Sequence, residues 1–436
     1  MNKRRQKLIS LLLSAVLMIT LVCGNIGSAA AATQKEITSV FNDTADYLYK
    51  TVTAPVCDSI GGDWVLYGLS MADYKMSDAY VAKYQAAVKS ALAKGYRGQK
   101  GILHDRKYTE YARVIVTYGQ LGLDPSKVGG VNLLEFLADL DAVKWQGING
   151  PIWALQALDA GDFDVPSMKG KTSKFAGTAG EPVKNVTTRQ KLINCILDAQ
   201  LADGGWALSG KVSDPDMTGM ALAALAPYQS QKKVKSAIDD AVTWLSKAQN
   251  SDGTYSTFGD KTAESCAQVI RGLVRCGINP NTNSKFKKNG KSVVDGLLSF
   301  YDSKVHGFRH VNEASGGYQA VVNQMATEQA FYALAEYKTS VPNKAVISKA
   351  VKSDSQALKV TWKKAAVASG YQVTVATNSG FTKNVKKVTV SGRSTVSKKV
   401  TGLKAGKTYY VKVRAYKTVN GKKIYGLYST AKKVKL

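Results

Sequence analysis

The chain has 436 residues, with 60 Lys and Arg against 32 Asp and Glu and a net charge of +28. This length allows two or three domains with a sizeable core, and four cysteines beyond residue 32 are too few for a disulfide-stabilised scaffold. The charge is uneven: residues 341–436 carry 22 Lys and Arg and one acid, Asp354, whereas residues 33–340 sum to only +3. The sequence therefore predicts two parts with different partners.

The first 32 residues have the pattern of a secretory signal peptide. Basic residues at 3–7 precede an apolar run at 8–22, and small residues follow at 28–32. This pattern predicts export, with cleavage near Ala32. A lipoprotein anchored through Cys23 is the second interpretation. No later stretch approaches about 20 apolar residues, so we expect no membrane span in the mature chain.

Residues 33–340 contain six similar apolar segments, each of which opens with small or polar residues. They begin at Gly62, Thr109, Asn149, Asp214, Ala263 and Met325. Segments that are apolar on every face predict helices buried on all sides. Amphipathic stretches such as 189–200 and 234–249 lie between them and predict outer helices. The alternation predicts an all-α (α/α)6 toroid, a double ring of six helix pairs around a central cavity.

Two connections share a second motif, Gln-x-x-Asp-Gly-x-aromatic, at 200–206 and 249–255. Asp-Gly permits a turn with positive φ after a helix, the aromatic ring can pack back, and the Gln can bond exposed backbone. The motif resembles the Gln-Trp repeats of squalene–hopene and oxidosqualene cyclases. More broadly, this part resembles the α/α toroid of protein prenyltransferase β subunits, intrinsic factor and transcobalamin.

The segment Asp214-Pro-Asp216-Met-Thr218 allows three interpretations. The resemblance to cyclases that protonate an alkene implies Asp216 as a general acid assisted by Asp214, but Met217 replaces the third acid of their motif. The vitamin-B12 carriers also resemble this segment and imply ligand contact without catalysis. The third interpretation is helix capping, since Asp and Thr at a helix start accept backbone N–H bonds.

If the inner helices run parallel, their first turns meet at one mouth of the cavity. Residues level with Met220 are then Trp64, Arg113, Trp153, Gln268 and Gln329. The sequence predicts a cup with an acidic and amide rim, aromatic patches and an apolar floor, as in small-molecule sites. The candidate ligand-binding residues are Asp63, Trp64, Glu110, Asn149, Trp153, Asp216, Thr218, Glu264, Gln268, Glu328 and Gln329. We expect neither a cofactor nor a metal site; in particular, the glycine in His306-Gly-Phe-Arg-His310 argues against a helical metal pair.

Residues 341–436 change to the two-residue period of β-strands. Apolar and polar residues alternate at 358–362, 371–375, 387–390 and 410–416, with Gly, Asn and Ser turns between. Trp362 and the run at 403–416 resemble a fibronectin type III sandwich. The polar face of each strand is rich in lysine, which predicts binding of polyanions through counterion release.

The sequence predicts a multidomain protein: a signal peptide at 1–32, the toroid at 33–340 and the basic fibronectin type III domain at 341–436. The preferred hypothesis is a secreted, cell-wall-associated Gram-positive protein. Its toroid would bind a small, partly apolar ligand, and its basic domain would associate with anionic cell-wall polymers or glycans rather than nucleic acid. A class II terpene cyclase-like enzyme and a structural or adhesive surface protein with a filled ring are the alternatives.

Overall fold

The computed structural model describes residues 32–168, 170–177 and 179–436. In these residues a helical N-terminal region precedes an all-β C-terminal part. The predicted signal peptide, except Ala32, lies outside the described residues. Within those residues, no helix combines the length and the apolar character that crossing a bilayer demands.

The described helical region contains six apolar helices that alternate with more polar segments. Each begins within one residue of a predicted segment: α2 Asp63–Met71, α4 Thr109–Gln120, α6 Asn149–Ala160, α8 Pro215–Leu225, α10 Ala263–Arg275 and α12 Gln324–Ser340. The segments between them include α1 Gln34–Thr51, α3 Asp78–Lys94, α5 Leu140–Val143, α7 Arg189–Asp198, α9 Lys232–Ala248 and α11 Val293–Leu298. We call the first set the inner helices and the second set the outer helices.

The burial of each helix follows its composition. Inner helix α8 is buried along almost its whole length, since small and apolar residues occupy every face. Outer helix α9 buries only the stripe that contains Val234, Ile238, Val242 and Leu245, spaced three or four residues apart. The sequence pattern therefore separates the two sets correctly.

The inner helices pack side by side. Each contacts the next inner helix along the chain, and α2 contacts α12. The tightest approach joins α8 and α10, where a Cβ on Gly219 would lie 2.5 Å from the Gln268 carbonyl oxygen. A Cβ on Gly272 would likewise lie 2.6 Å from the Gly219 carbonyl oxygen. These two glycines let the helix backbones meet directly.

The outer helices are less regular than six equal pairs would require. Between α4 and α6, the outer position is taken by a 3₁₀ segment, Leu133–Ala138, followed by the four-residue α5. Asn132 caps the first by accepting from Leu134 N, and Asp139 caps the second by accepting from Asp141 N. The two caps divide this stretch into short turns instead of one long helix.

The two Gln-aromatic connections make the contacts expected of them. Gln200 Nε2 donates to Gly204 O and Ala237 O, and Gln249 Nε2 donates to Gly253 O and Phe286 O. Fully buried Trp206 donates through Nε1 to Ile196 O at 2.7 Å. The motif thus ties each connection to its neighbouring outer segments.

Six two-residue strands lie in the described part of the helical region, namely β1 Ser256–Thr257, β2 Asp260–Lys261, β3 Lys287–Lys288, β4 Lys291–Ser292, β5 Tyr301–Asp302 and β6 Gly307–Phe308. The C-terminal part contains β7 Ile347–Asp354, β8 Ala357–Trp362, β9 Gly370–Ala376, β10 Lys386–Ser391, β11 Ser397–Val400, β12 Thr408–Val419, β13 Lys422–Tyr425 and β14 Lys432–Lys435. One sheet has the order β10-β9-β12-β13 with β14 also paired to β12, and the other has β11-β8-β7. Trp362, Tyr371 and the inward residues of β12 form the core between them.

The β12–β13 hairpin rests on the helical region. Ile424 joins the helical core, and Asn279 Nδ2 donates to Tyr425 O at 2.9 Å. At the hairpin tip, Asn420 Nδ2 donates to Arg275 O at 2.9 Å and Asn420 O accepts from Gln229 Nε2 at 2.9 Å. The two parts of the chain therefore share specific contacts.

Candidate functional site

A pocket of about 210 Å³ opens where the six inner helices begin. Its lining includes every residue predicted to be level with Met220: Trp64, Arg113, Trp153, Met220, Gln268 and Gln329. Each inner helix contributes a residue from its first two turns, so all six helices start at this end. We call this cavity the mouth pocket.

Aromatic rings and amides shape the mouth pocket. The Trp64 ring centroid lies 4.9 Å from that of Trp153 and 5.6 Å from that of Tyr332. Gln268 Nε2 donates to Gln329 Oε1 at 2.7 Å and to the Tyr332 hydroxyl at 2.6 Å. Asn149 also lines the pocket, and its buried Oδ1 has no hydrogen-bond partner within the described residues. That oxygen can accept a bond from a ligand.

The predicted central cavity is filled below the mouth pocket. Fully buried Arg271 of α10 donates to Glu336 Oε2 at 3.0 Å and Gln156 Oε1 at 3.1 Å, across the space between the inner helices. Its guanidinium lies over the rings of Tyr332 at 4.9 Å and Trp153 at 5.5 Å. The predictions of a hollow centre and an apolar floor are therefore wrong. Large side chains meet there, and a buried charge network forms the floor.

Glu336 balances two arginines in this network. It accepts from Arg271 and, at a shorter separation, from Arg275. Burial alone would raise the pKa of Glu336, but Arg275 and Arg271 hold it below its ordinary value. Arg275 also donates to the Tyr67 hydroxyl at 3.1 Å. A second cavity of about 290 Å³ lies beyond the network, at the helix C-terminal ends, where Val419 and Asn420 of the hairpin join its lining.

Two predicted acids bind Arg113 instead of facing the mouth pocket. Asp63 is fully buried, pairs with Arg113 Nε and accepts from the Tyr84 hydroxyl at 2.5 Å. Glu110 Oε2 accepts from Arg113 Nη2 at 2.6 Å. Arg113 itself lines the pocket, so these carboxylates position its guanidinium rather than contact a ligand directly.

The Asp214–Thr218 segment lies outside the lining of the mouth pocket. Asp214 Oδ1 caps α8 by accepting from Met217 N at 2.8 Å, and Thr218 Oγ1 accepts from Trp206 N at 3.0 Å. Asp216 Oδ1 is buried without a hydrogen-bond partner among the described residues. Burial, followed by the nearby Asp214 charge, raises the pKa of Asp216 to about 7.

Glu264 and Glu328 also lie outside this lining. Glu264 Oε2 is 2.8 Å from His310 Nδ1, and this hydrogen bond raises the pKa of His310. Glu328 Oε1 accepts from Gly61 N at 2.8 Å and Gln324 Nε2 at 2.7 Å. Burial raises the pKa of Glu328 to about 7. Of the predicted ligand-binding residues, the lining brings together Trp64, Asn149, Trp153, Gln268 and Gln329.

The charge network was missed by the sequence analysis although the signal was present. Arg271 and Arg275 stand four residues apart in a helix predicted to be buried, and Glu336 lies in another. Buried charges require partners, so these residues could have been paired with one another. Gln156 also belongs to the network, but the sequence does not indicate its partners, because a single buried amide can form hydrogen bonds with many different groups.

Cations and aromatic rings alternate on the outward face of the larger β-sheet. Arg414 lies 3.7 Å from the Tyr425 ring centroid and 4.6 Å from that of Tyr428. Lys412 lies 4.0 Å from the Phe381 centroid and 4.3 Å from that of Tyr428. Neither cation pairs with a carboxylate among the described residues; the one acid of this part, Asp354, pairs with Lys399 at 2.9 Å. We call Phe381, Lys412, Arg414, Tyr425 and Tyr428 the cationic face.

The comparisons with known proteins concern the C-terminal part. Residues 341–426 match the fibronectin type III domain family. No curated protein matches the chain. Solved structures similar to it include the FN5 domain of Drosophila Lar, at 26% identity over 22% of this chain and 95% of that chain, TM-score 0.18. A Fn3-like protein from Clostridium thermocellum is 24% identical over 22% of this chain and 88% of that chain, TM-score 0.18.

The FN1–FN3 domains of chicken CNTN1 are 23% identical over 22% of this chain and 31% of that chain, with a TM-score of 0.18. The assignment therefore rests on the family match together with the two packed sheets seen in the fold. This chain carries a C-terminal fibronectin type III domain after a helical N-terminal region.

Proposed function

We propose that this chain is an exported, surface-associated recognition protein. Its basic fibronectin type III domain binds anionic cell-wall polymers or glycans and so keeps the protein at the cell surface. The observation that carries the proposal is the cationic face, where Lys412 and Arg414 point outward without a carboxylate partner among the described residues. A fibronectin type III domain suits a surface or adhesive role, and the predicted signal peptide supplies the route out of the cell.

The packing of the cationic face favours a polyanion without bases. Stacking on Tyr428, Phe381 and Tyr425 restrains the two cations, so less side-chain freedom is lost when an anion binds. The same stacking covers the aromatic faces that nucleic-acid bases would otherwise use. A linear phosphate- or sulfate-bearing polymer therefore fits this face better than single-stranded nucleic acid does.

Retention on immobilised dextran sulfate tests this proposal, with elution in a salt gradient. The variant Lys412→Gln/Arg414→Gln should elute at clearly lower salt than the wild type. The matched control Lys349→Gln/Lys359→Gln removes the same charge from exposed positions on the smaller sheet and should elute close to the wild type. Equal shifts in both variants would show that net charge alone acts, and wild-type retention that is insensitive to salt would contradict the proposal.

For the helical region we propose an (α/α)6 toroid whose mouth pocket binds a small, partly apolar ligand. The contacts from each inner helix to the next, including α2 to α12, support the ring. The lining of Trp64, Trp153 and Gln268 and the unpartnered Asn149 Oδ1 support ligand binding. The charge network forms the floor of the mouth pocket, so only a group with a volume of at most about 210 Å³ can enter it.

Native mass spectrometry of the secreted protein tests the pocket. A bound small molecule should be released by Gln268→Ala, which removes a lining amide, but retained in Lys349→Gln, a distant surface change. Absence of any bound mass in the wild type would favour the alternative of a structural or adhesive protein with a filled centre, which the charge network also supports. The two experiments fail independently, since they concern different domains.

The cyclase-type alternative has less support. Asp216 has the raised pKa of a general acid, yet it does not line the mouth pocket, and Met217 stands where the cyclase motif has its third acid. A terpene substrate also needs an enclosed apolar volume, and buried Arg271 and Glu336 occupy the centre.

A further inference from the structure

Ala32, the first described residue, is held by side chains from distant parts of the chain. It is only 6% exposed, its N–H donates to Asp295 Oδ1 at 2.9 Å, and its carbonyl accepts from Asn281 Nδ2 at 2.9 Å. Thr33 follows immediately as the cap of α1. The contacts to Ala32 are thus separate from those that begin the helix.

The two side chains that bind Ala32 belong to a mostly buried, hydrogen-bonded site. Asn281 is 3% exposed and accepts from Ser292 Oγ at 2.8 Å. Asp295 Oδ2 accepts from Ser292 N at 2.7 Å, which leaves Oδ1 for Ala32. Asp295 pairs with no basic side chain among the described residues, so its charge lacks a counterion at this site.

We propose that the secretory leader is removed between Ala31 and Ala32, and that the α-ammonium released on Ala32 binds the Asp295 carboxylate. The inference rests on the proposed export. A leader peptidase adds water across the Ala31–Ala32 peptide bond: Ala31 leaves with the new carboxylate, and Ala32 keeps the nitrogen as an ammonium. The nitrogen already lies 2.9 Å from Asp295 Oδ1, so no rearrangement is needed.

The sequence alone permits cleavage after Ala29, Ala30, Ala31 or Ala32, since each has a small residue two positions earlier. The structure distinguishes them. Loss of Ala32 would leave the buried Asn281 Nδ2 and the part-buried Asp295 Oδ1 without these partners, which is costly. Retention of Ala31 would keep a neutral amide at Asp295, whereas cleavage before Ala32 gives a charge-assisted bond, which is roughly twice as strong.

The intact mass of the protein secreted by a Gram-positive host, expressed from the 436-residue chain with its leader, tests the site of cleavage. The expected mass is that of residues 32–436. A mass for a chain that begins at residue 30, 31 or 33 would overturn the inference while leaving export intact. An uncleaved chain kept inside the cell would instead overturn the export on which it rests.

Thermal unfolding tests the role of the ammonium. Mature chains with authentic starts at Ala31 and at Ala32 can be made by cleaving a removable fusion. Both present an Ala32 N–H to Asp295, but only the second carries a charge there, so its Tm should be higher by about 1–2 °C. Asp295→Asn should abolish this difference even though it lowers both Tm values by weakening the Ser292 cap. Equal Tm values in the wild-type background, or a difference that survives in Asp295→Asn, would refute the pairing.

Discussion

Glu336 is the residue whose replacement tests the filled centre most directly. Glu336→Gln keeps the size and one hydrogen-bond acceptor but removes the charge that faces Arg271 and Arg275. Arg271 is fully buried and Glu336 is 7% exposed, so the substitution leaves the Arg271 guanidinium buried without a charged partner. Breaking a buried pair in this way costs about 3–5 kcal/mol, and we expect a loss of that size in the free energy of unfolding.

Urea unfolding at pH 7, followed by circular dichroism at 222 nm, measures this loss in the helical region. Asp239→Asn is the matched control, because it breaks the exposed pair with Lys235 on α9 of the same helical region and should cost at most about 1 kcal/mol. A loss below about 1 kcal/mol for Glu336→Gln would refute the reasoning, since it would mean that solvent reaches the two guanidiniums.

The pH dependence of stability gives the same test a second readout. The pKa of Glu336 is lowered in the folded protein, so its contribution is fully present above the unfolded value of about 4.3. That contribution is lost as the pH falls through the folded value. The stability gap between wild type and Glu336→Gln should therefore narrow in acid.

Three further predictions concern other parts of the fold. Asp216→Asn should stabilise the protein at pH 8. The pKa of Asp216 is raised to about 7 in the folded protein, so the carboxyl destabilises the fold as the pH rises from the pKa of the unfolded chain through 7. The gain in Tm should shrink towards pH 4, and a gain independent of pH would contradict the raised pKa of Asp216. Gly219→Ala should cost about 1–3 kcal/mol in urea unfolding, since its Cβ would lie 2.5 Å from the Gln268 carbonyl oxygen, whereas Gly380→Ala has room and should be near neutral. Asn420→Ala removes one of the hairpin's bonds to the helical region, the one to Arg275 O, and should cost about 1 kcal/mol. Calorimetric transitions unchanged from wild type would show that this contact does not couple the two parts.

Local sequence patterns were sufficient to predict the order of the inner helices and where each of them begins. Apolar segments opened by residues such as Asp214 begin helices because the capping group and the apolar run act within a few residues. The same locality explains the Gln200 and Trp206 contacts, and the alternation in β12 gave its inward and outward residues. The layer of residues level with Met220 followed from helical periodicity once all inner helices shared one direction.

What occupies the middle of the six helices was decided only by the tertiary structure. The sequence presented Asp63, Glu264 and Glu328 as rim groups, yet each carboxylate bonds a partner brought from elsewhere in the fold: Arg113, His310 and the backbone of Gly61. The pairing of Arg271 with Glu336 joins residues 65 positions apart. Periodicity fixes the face on which a side chain lies, but whether that face meets solvent, a ligand or an opposite charge depends on distances across the packed helices, which no local pattern encodes.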